Sequence, residues 1–246
     1  MLKTAVRMSR VSELAHNYNH VKTAVSALSP STRLVCVSKY KPASDIQAVY
    51  DLGQRHFGEN YVQELMEKVA NLPQEIQWHF IGSLQSNKCA QLAKNIPNLW
   101  VETVDGEKKA KKLNDAREQS EYKDKAPVHV FVQVNTSGES QKSGMDPEDV
   151  SKTVEYIVKE CPQLKLAGLM TIGSIEQSKG SEENKDFATL VQIRDSIEQA
   201  LDITGLELSM GMSSDYEEAI KQGSTNVRIG STIFGGRMTK EEVKTQ

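Results

Sequence analysis

The sequence predicts an α/β protein folded as a single (β/α)8 TIM barrel, with an extra helix ahead of the first strand. Three observations carry that expectation. The chain has 246 residues, close to the roughly 250 typical of such barrels. Short apolar, β-branched runs alternate with longer amphipathic stretches, the pattern of parallel strands joined by helices. The repeats number about eight, which favours a closed barrel over an open doubly wound sheet. No linker or shift in composition divides the chain, so residues 1–246 are expected to form one domain.

The extra helix comes first, over about residues 9–28. Val11, Leu14, Ala15, Tyr18, Val21, Ala24, Val25 and Leu28 recur at spacings of three and four, one stripe of an amphipathic helix. Pro30 ends it. The strands then follow as Arg33–Ser38, Arg55–Gly58, Gln77–Ile81, Leu99–Val104, Val128–Asn135, Leu166–Thr171, Leu206–Met210 and Asn226–Ile229. Helical segments lie between them: Ala43–Leu52, Tyr61–Asn71, Ser86–Asn95, Gly106–Glu121, Pro147–Glu160, Glu182–Leu201 and Asp215–Gln222. Pro147 suits a first helical turn, where its missing N–H costs nothing. Ser214 followed by Glu217 reads as a capping box. The polar stretches 136–146 and 173–184 follow strands five and six; in a barrel they rise on the face that carries active sites, although ordinary surface loops look the same.

Composition narrows the function classes. Hydrophobic residues make up 38%, charged residues 26%, and the net charge is −3, so nothing basic points to nucleic acid or an anionic membrane. No apolar stretch approaches the roughly 20 residues of a membrane span. Cys36, Cys89 and Cys161 are odd in number and scattered, which argues against a disulfide framework or a zinc ribbon. The segment Met1–Arg10 has no apolar signal core, so Asn135-Thr136-Ser137 carries no weight as a glycosylation site. A cytoplasmic protein is expected; Lys3, Arg7 and Arg10 leave a mitochondrial pool open.

Chemistry concentrates in three places. In barrels, phosphate is often held by the loops after strands seven and eight beside a helix N-terminus. Here those loops are Gly211-Met212-Ser213-Ser214 and Gly230-Ser231-Thr232. Glycine lets backbone N–H groups approach an anion, and hydroxyls add donors. Either loop alone reads better as a cap and a turn; the pair, at both expected positions, reads as a phosphate cradle. Lys39 stands at the end of strand one, where desolvation lowers an amine's pKa and frees it to form a Schiff base. Lys41 shares its alternation, so periodicity leaves the two open. Arg228 sits within an apolar strand and needs an acceptor there. It either pairs with a carboxylate of a neighbouring strand or faces the ring nitrogen of a cofactor. An amine and a phosphate cradle are two parts of a pyridoxal phosphate site.

Other polar groups are weaker signals. Asn60 and His79, at the ends of strands two and three, either line the same mouth or are satisfied barrel residues. His16 and His20 lack a third ligand and read as a solvated helix face, as do Lys108, Lys109, Lys111 and Lys112.

With these residues in view, the chain resembles the pyridoxal phosphate homeostasis protein family, barrels similar to the N-terminal domain of alanine racemase. The resemblance runs through Val37-Ser38-Lys39 with Pro42, Phe57-Gly58-Glu59-Asn60-Tyr61-Val62-Gln63-Glu64 and Trp78-His79-Phe80-Ile81-Gly82 with Leu84-Gln85-Ser86-Asn87-Lys88. It continues in Gln141-Lys142-Ser143-Gly144, Gly168-Leu169-Met170-Thr171, Ser209-Met210-Gly211-Met212-Ser213 and Gly223-Ser224-Thr225-Asn226-Val227-Arg228-Ile229-Gly230. Each block is weak alone; the ordered series is specific. Ser83 stands where proline is frequent, and Ser231 where threonine is frequent.

The resemblance implies a fold-type III pyridoxal 5'-phosphate barrel with the Schiff base on Lys39 rather than Lys41. It implies Arg228 beside the ring nitrogen and Ser213, Gly230 and Ser231 around the phosphate. Met212, in the loop after strand seven, and Asn60, at the end of strand two, are also expected among the cofactor contacts. Racemases and decarboxylases of this fold type add a β-rich domain, for which the roughly ten residues after Gly236 leave no room. A two-base racemase also needs an acid–base group opposite the lysine, and the sequence offers no convincing candidate. A non-catalytic monomer is therefore expected, holding the cofactor for homeostasis and for cofactor-dependent apo-enzymes. The competing expectations are an amino-acid racemase and a class I aldolase.

Overall fold

The computed structural model describes residues 9–139, 143–179 and 183–236. Eight parallel strands close into a barrel: β1 (Arg33–Val37), β2 (His56–Glu59), β3 (Gln77–Phe80), β4 (Leu99–Val104), β5 (Val128–Gln133), β6 (Leu164–Met170), β7 (Glu207–Ser209) and β8 (Asn226–Ile229). Each pairs with the next, and β8 pairs back with β1 through Arg33↔Asn226 to Cys36↔Ile229. The expected strands fall within two residues of these bounds. A parallel barrel is covered outside by helices, so its strands are apolar runs, and β4 is buried at all six positions. The register slips between Val101 and Val104 on β4 and between Val130 and Phe131 against β6.

The helices are α1 (Arg10–Leu28), α2 (Ala43–Asp51), α3 (Val62–Asn71), α4 (Cys89–Asn95), α5 (Glu107–Glu118), α6 (Pro147–Glu160), α7 (Ile175–Lys179), α8 (Lys185–Leu201), α9 (Tyr216–Lys221) and α10 (Ser231–Phe234). Ser9 caps α1 by accepting from the Ser12 N–H at 3.2 Å. The expected stripe is buried at Leu14, Tyr18, Val21 and Val25, while its ends, Val11 and Leu28, are exposed. Arg10 ties α1 to Asp45 of α2 at 2.6 Å and to the Phe234 carbonyl of α10 at 2.8 Å. The extra helix thus braces the seam where β8 meets β1.

Several local expectations are corrected. The helix expected over Ser86–Asn95 begins as a tight turn over Ser86–Lys88 before α4. The stretch 173–184, expected as loop, contains α7. The start expected at Glu182 lies outside the described residues; Asn184 caps α8 by accepting from Asp186 and Phe187 N–H. The capping box does not form. Ser214 is exposed in the turn, and Asp215 occupies the N-cap, its Oδ1 accepting from the Met212 N–H at 2.7 Å. The Met1–Met8 segment, Gln141 and Lys142 lie outside the described residues.

The main apolar core fills the space between strands and helices. A second, small cluster of Trp100, Phe131, Ala167 and Met170 lies apart from it. His129 and His79 stack on Trp100 with centroids 4.1 and 5.0 Å away, and the Arg33 guanidinium lies 4.4 Å from its ring.

Candidate functional site

A cavity of about 540 Å³ opens at the carboxyl ends of the strands. All seven residues singled out in the sequence stand on its wall: Lys39, Asn60, Met212, Ser213, Arg228, Gly230 and Ser231. Val37, Ile81, Met170 and Ile172 supply apolar surface. Lys41 is there too, its Nζ donating to the Gly236 carbonyl at 2.7 Å. The half-buried Lys39 makes no hydrogen bond or ion pair with a described residue. The two lysines that periodicity left open are therefore in different situations.

Arg228 is almost fully buried. Its Nη1 donates to Ser209 Oγ at 2.5 Å and its Nη2 to the Thr171 carbonyl at 2.9 Å. Ser209 in turn donates to Glu102 Oε2 at 2.5 Å, and that carboxylate lies 3.8 Å from Arg228. Asn226 Nδ2 donates to Glu102 Oε1 at 3.2 Å. β4 and β8 are not neighbours in the barrel, so these contacts cross its interior. The sequence offered two roles for Arg228, an ion pair or a place at a cofactor. The structure has it do the first, with a carboxylate across the barrel instead of beside it, while leaving it on the cavity wall.

The chain of contacts continues below. His79 Nδ1 lies 2.6 Å from Glu102 Oε1, and His79 Nε2 lies 2.9 Å from His56 Nδ1. Burial lowers the pKa of both rings, His56 to about 3. Two neutral rings then fit with each Nδ1–H donating, His56 to His79 and His79 to Glu102. Burial opposes ionisation of Glu102, but the bond from His79, the charge of Arg228 and the bond from Ser209 outweigh it and hold the carboxyl below its ordinary range. His79 is a satisfied interior residue; of the two readings open for it, the place at the mouth is ruled out.

Asn60 is different. Its side-chain oxygen is buried without a hydrogen-bond partner. Its backbone is fixed by Gly82, where a Cβ would fall 2.0 Å from the Asn60 carbonyl oxygen. Only glycine permits that approach.

The loops after β7 and β8 meet, as the Gly230 N–H reaches Ser213 Oγ at 3.4 Å. Gly211 has φ +97°, and a Cβ there would lie 2.6 Å from Ala219 Cβ, so the turn into α9 requires glycine. Gly230 precedes the four-residue α10, whose first N–H groups have no acceptor within the helix.

A family model described as the alanine racemase N-terminal domain matches residues 10–238. The pyridoxal phosphate homeostasis protein of Schizosaccharomyces pombe is 49% identical over 217 residues, 88% of this chain and 89% of the relative. The chain belongs to the pyridoxal phosphate homeostasis protein family. A solved structure of similar shape is PipY of Synechococcus elongatus PCC7942, described with PLP bound: 31% identity, TM-score 0.74, covering 89% of this chain and 100% of that one. Alanine racemase of Clostridium difficile 630 shares the fold at 13% identity and TM-score 0.75, over 94% of this chain and 59% of the racemase.

In this family member, sequence reasoning missed the layer behind the wall. Glu102, Ser209 and Thr171 hold Arg228, and none was singled out for that purpose. The available signal was Arg228 itself, since a buried guanidinium demands acceptors. Among the described residues no helix is long and apolar enough to cross a membrane, and Cys36, Cys89 and Cys161 are buried free thiols.

Proposed function

We propose that this protein binds pyridoxal 5'-phosphate through a Schiff base to Lys39 and serves cofactor and amino-acid homeostasis without catalytic turnover. One observation carries the reading. A lysine amine with no described partner, a buried guanidinium and two hydroxyl-bearing glycine loops face a single cavity. The orphaned Asn60 oxygen on the same wall is a further sign that a polar ligand belongs there.

When bound, the cofactor supplies an aldehyde that condenses with a primary amine, releasing one water. Lys39 provides that amine. Arg228 retains its proton, so it would donate to a ring nitrogen and keep that nitrogen unprotonated. This weakens the ring as an electron sink and suits holding and exchange better than carbanion chemistry. Ser213, Ser231 and the free N–H groups at the start of α10 would take the phosphate, with Gly230 allowing close approach and Met212 and Asn60 closing the sides. Among the described residues, the ionisable groups on the wall are Lys39, Lys41 and Arg228. Beside Lys39 these are Lys41, whose amine is tied to the Gly236 carbonyl, and Arg228, which keeps its proton; the reading of a carrier that passes cofactor to apo-enzymes takes neither as a racemase's second base.

The test is an absorption spectrum of purified protein with added pyridoxal phosphate, wild type beside Lys39→Ala, before and after borohydride. The expected result is an imine band that borohydride bleaches, with the label retained on Lys39 and no band in the variant. Amino-acid turnover abolished by Lys39→Ala would show an enzyme instead. A wild type that takes up no cofactor would sink the reading.

A further inference from the structure

We infer that Lys68 is a positioning residue for Lys39: together with Glu59 and Glu64 it fixes the turn that presents the Lys39 amine to the cavity. The inference rests on the reading of Lys39 as the cofactor anchor for one of its two readouts.

Lys68 lies in the last turn of α3 and is 6% exposed. A lysine is rarely so buried unless its charge is fully engaged. An ammonium has three protons, and this one has three acceptors: Ser38 carbonyl oxygen at 2.8 Å, Glu59 Oε1 at 2.6 Å and Glu64 Oε1 at 2.7 Å. The same acceptors grip both neighbours of Lys39. Ser38 Oγ donates to Glu59 Oε1 at 2.6 Å, and the Tyr40 N–H donates to Glu64 Oε1 at 2.6 Å. The Ser38 carbonyl also accepts from the Lys41 N–H at 3.0 Å, closing the turn. Lys39 is thus held from the residue before it and the residue after it, through a single buried ammonium.

The turn needs holding. Tyr40 has φ +61°, left-handed for a residue with a side chain. Such a conformation is disfavoured by roughly tenfold, and it persists only where surroundings impose it. Tyr40 is about half exposed, with its ring against Tyr61 at 5.2 Å between centroids, so its side chain is only partly enclosed. The bond to Glu64 falls on the strained residue itself.

General stabilisation of the fold explains the cluster less well. Replacing a buried ion cluster by apolar side chains is often neutral or stabilising. Here burial raises Glu59 to about 7 against the opposing pull of Lys68, and its second oxygen is buried without a partner. The cost falls beside the Lys39 turn, where the geometry has a use. Lys68, Glu59 and Glu64 are all absent from the cavity wall, so their effect on the cofactor is indirect, through the wall residues they hold, with Lys39 gripped on both sides.

Two variants of the full chain test this, Lys68→Met and Glu64→Ala. The second removes the Tyr40 acceptor from a half-buried helix position and keeps the test decisive if Lys68→Met fails to fold. The first readout uses cofactor-free protein: amide hydrogen exchange at Tyr40, expected to speed by about tenfold with β1 amides unchanged. The second uses saturating pyridoxal phosphate: the ratio of borohydride-trapped to untrapped bound cofactor, expected to fall by about tenfold with total bound phosphate unchanged. Unchanged exchange and an unchanged ratio would overturn the inference. Faster exchange with an unchanged ratio would overturn it as well, leaving the cluster a structural tie only. If wild type traps no cofactor, the functional reading fails, and Tyr40 exchange in the variants still decides whether the clamp exists.

Discussion

Replacing Glu102 by Gln tests the interior network most directly, and it needs no cofactor. Glu102 is fully buried and accepts from His79 at 2.6 Å, Ser209 at 2.5 Å and Asn226 at 3.2 Å. Glutamine keeps one accepting oxygen. If that oxygen serves His79 and Asn226, its NH2 faces Ser209, whose hydroxyl already accepts from Arg228 and Asn226. One charge-assisted bond is lost, worth about 1.5–3 kcal/mol. Arg228 also loses its countercharge; breaking a buried pair costs about 3–5 kcal/mol. The 3.8 Å separation and the Thr171 carbonyl reduce that share. A net loss of about 3 kcal/mol follows. For a protein of this size the melting point should fall by about 6–12 °C. Thermal and urea unfolding of wild type, Glu102→Gln, Arg228→Met and the double variant would measure it. The double variant should lose at least about 1 kcal/mol less than the sum of the singles, because the second change removes the stranded partner. A single-variant loss under about 1 kcal/mol, or strict additivity, would refute the network as an energetic unit.

Three further outcomes are expected. His56 is lowered from 6.5 to about 3 by burial, so the unfolded chain takes up its proton first. Its contribution to stability is present above pH 6.5 and is lost as pH falls toward 3, at up to about 1.4 kcal/mol per pH unit. His56→Gln keeps a donor for His79, and the difference in urea midpoint between it and wild type should drift with pH across that window; a constant difference would contradict the burial argument. Gly82→Ala places a methyl 2.0 Å from the Asn60 carbonyl, and the backbone shift should cost about 1–3 kcal/mol, read by thermal unfolding. Ser213→Ala and Ser231→Ala should each weaken pyridoxal phosphate binding by about tenfold; equal affinity in titrations would remove those hydroxyls from the phosphate site.

The strands were legible because a parallel barrel buries both faces, leaving apolar β-branched runs such as Val128–Gln133 that stand out from their surroundings. The cavity loops were legible for a topological reason, since the end of β1 and the loops after β7 and β8 must meet at one mouth; the choice of Lys39 over Lys41 came only from the resemblance. What escaped lacks a local signature. Glu102 sits in a strand buried at every position, so alternation cannot say which way it points or what it meets. Lys68 lies in a helical segment, and nothing in the spacing of that helix marks one lysine as buried. The four residues of α10 are too few to show a period. Ser214 and Glu217 have the right spacing for a capping box, but the chain enters α9 one residue later, and Asp215 takes the position.

The arrangement of charge around the cavity bears on binding against turnover. The ionisable groups on the wall among the described residues are cations, and the acids stand one layer back. Glu102 lies behind Arg228, and Glu59 and Glu64 lie behind the Lys39 turn. Each acid engages a cation, and none of the three lines the cavity. Proton abstraction needs a base within hydrogen-bond reach of the reacting atom, and these carboxylates are occupied in fixed contacts. A wall whose ionisable groups are cations favours an anionic ligand such as a phosphorylated aldehyde. Acids that position cations, with cations facing the cavity, are the arrangement that the proposed carrier role at Lys39 calls for.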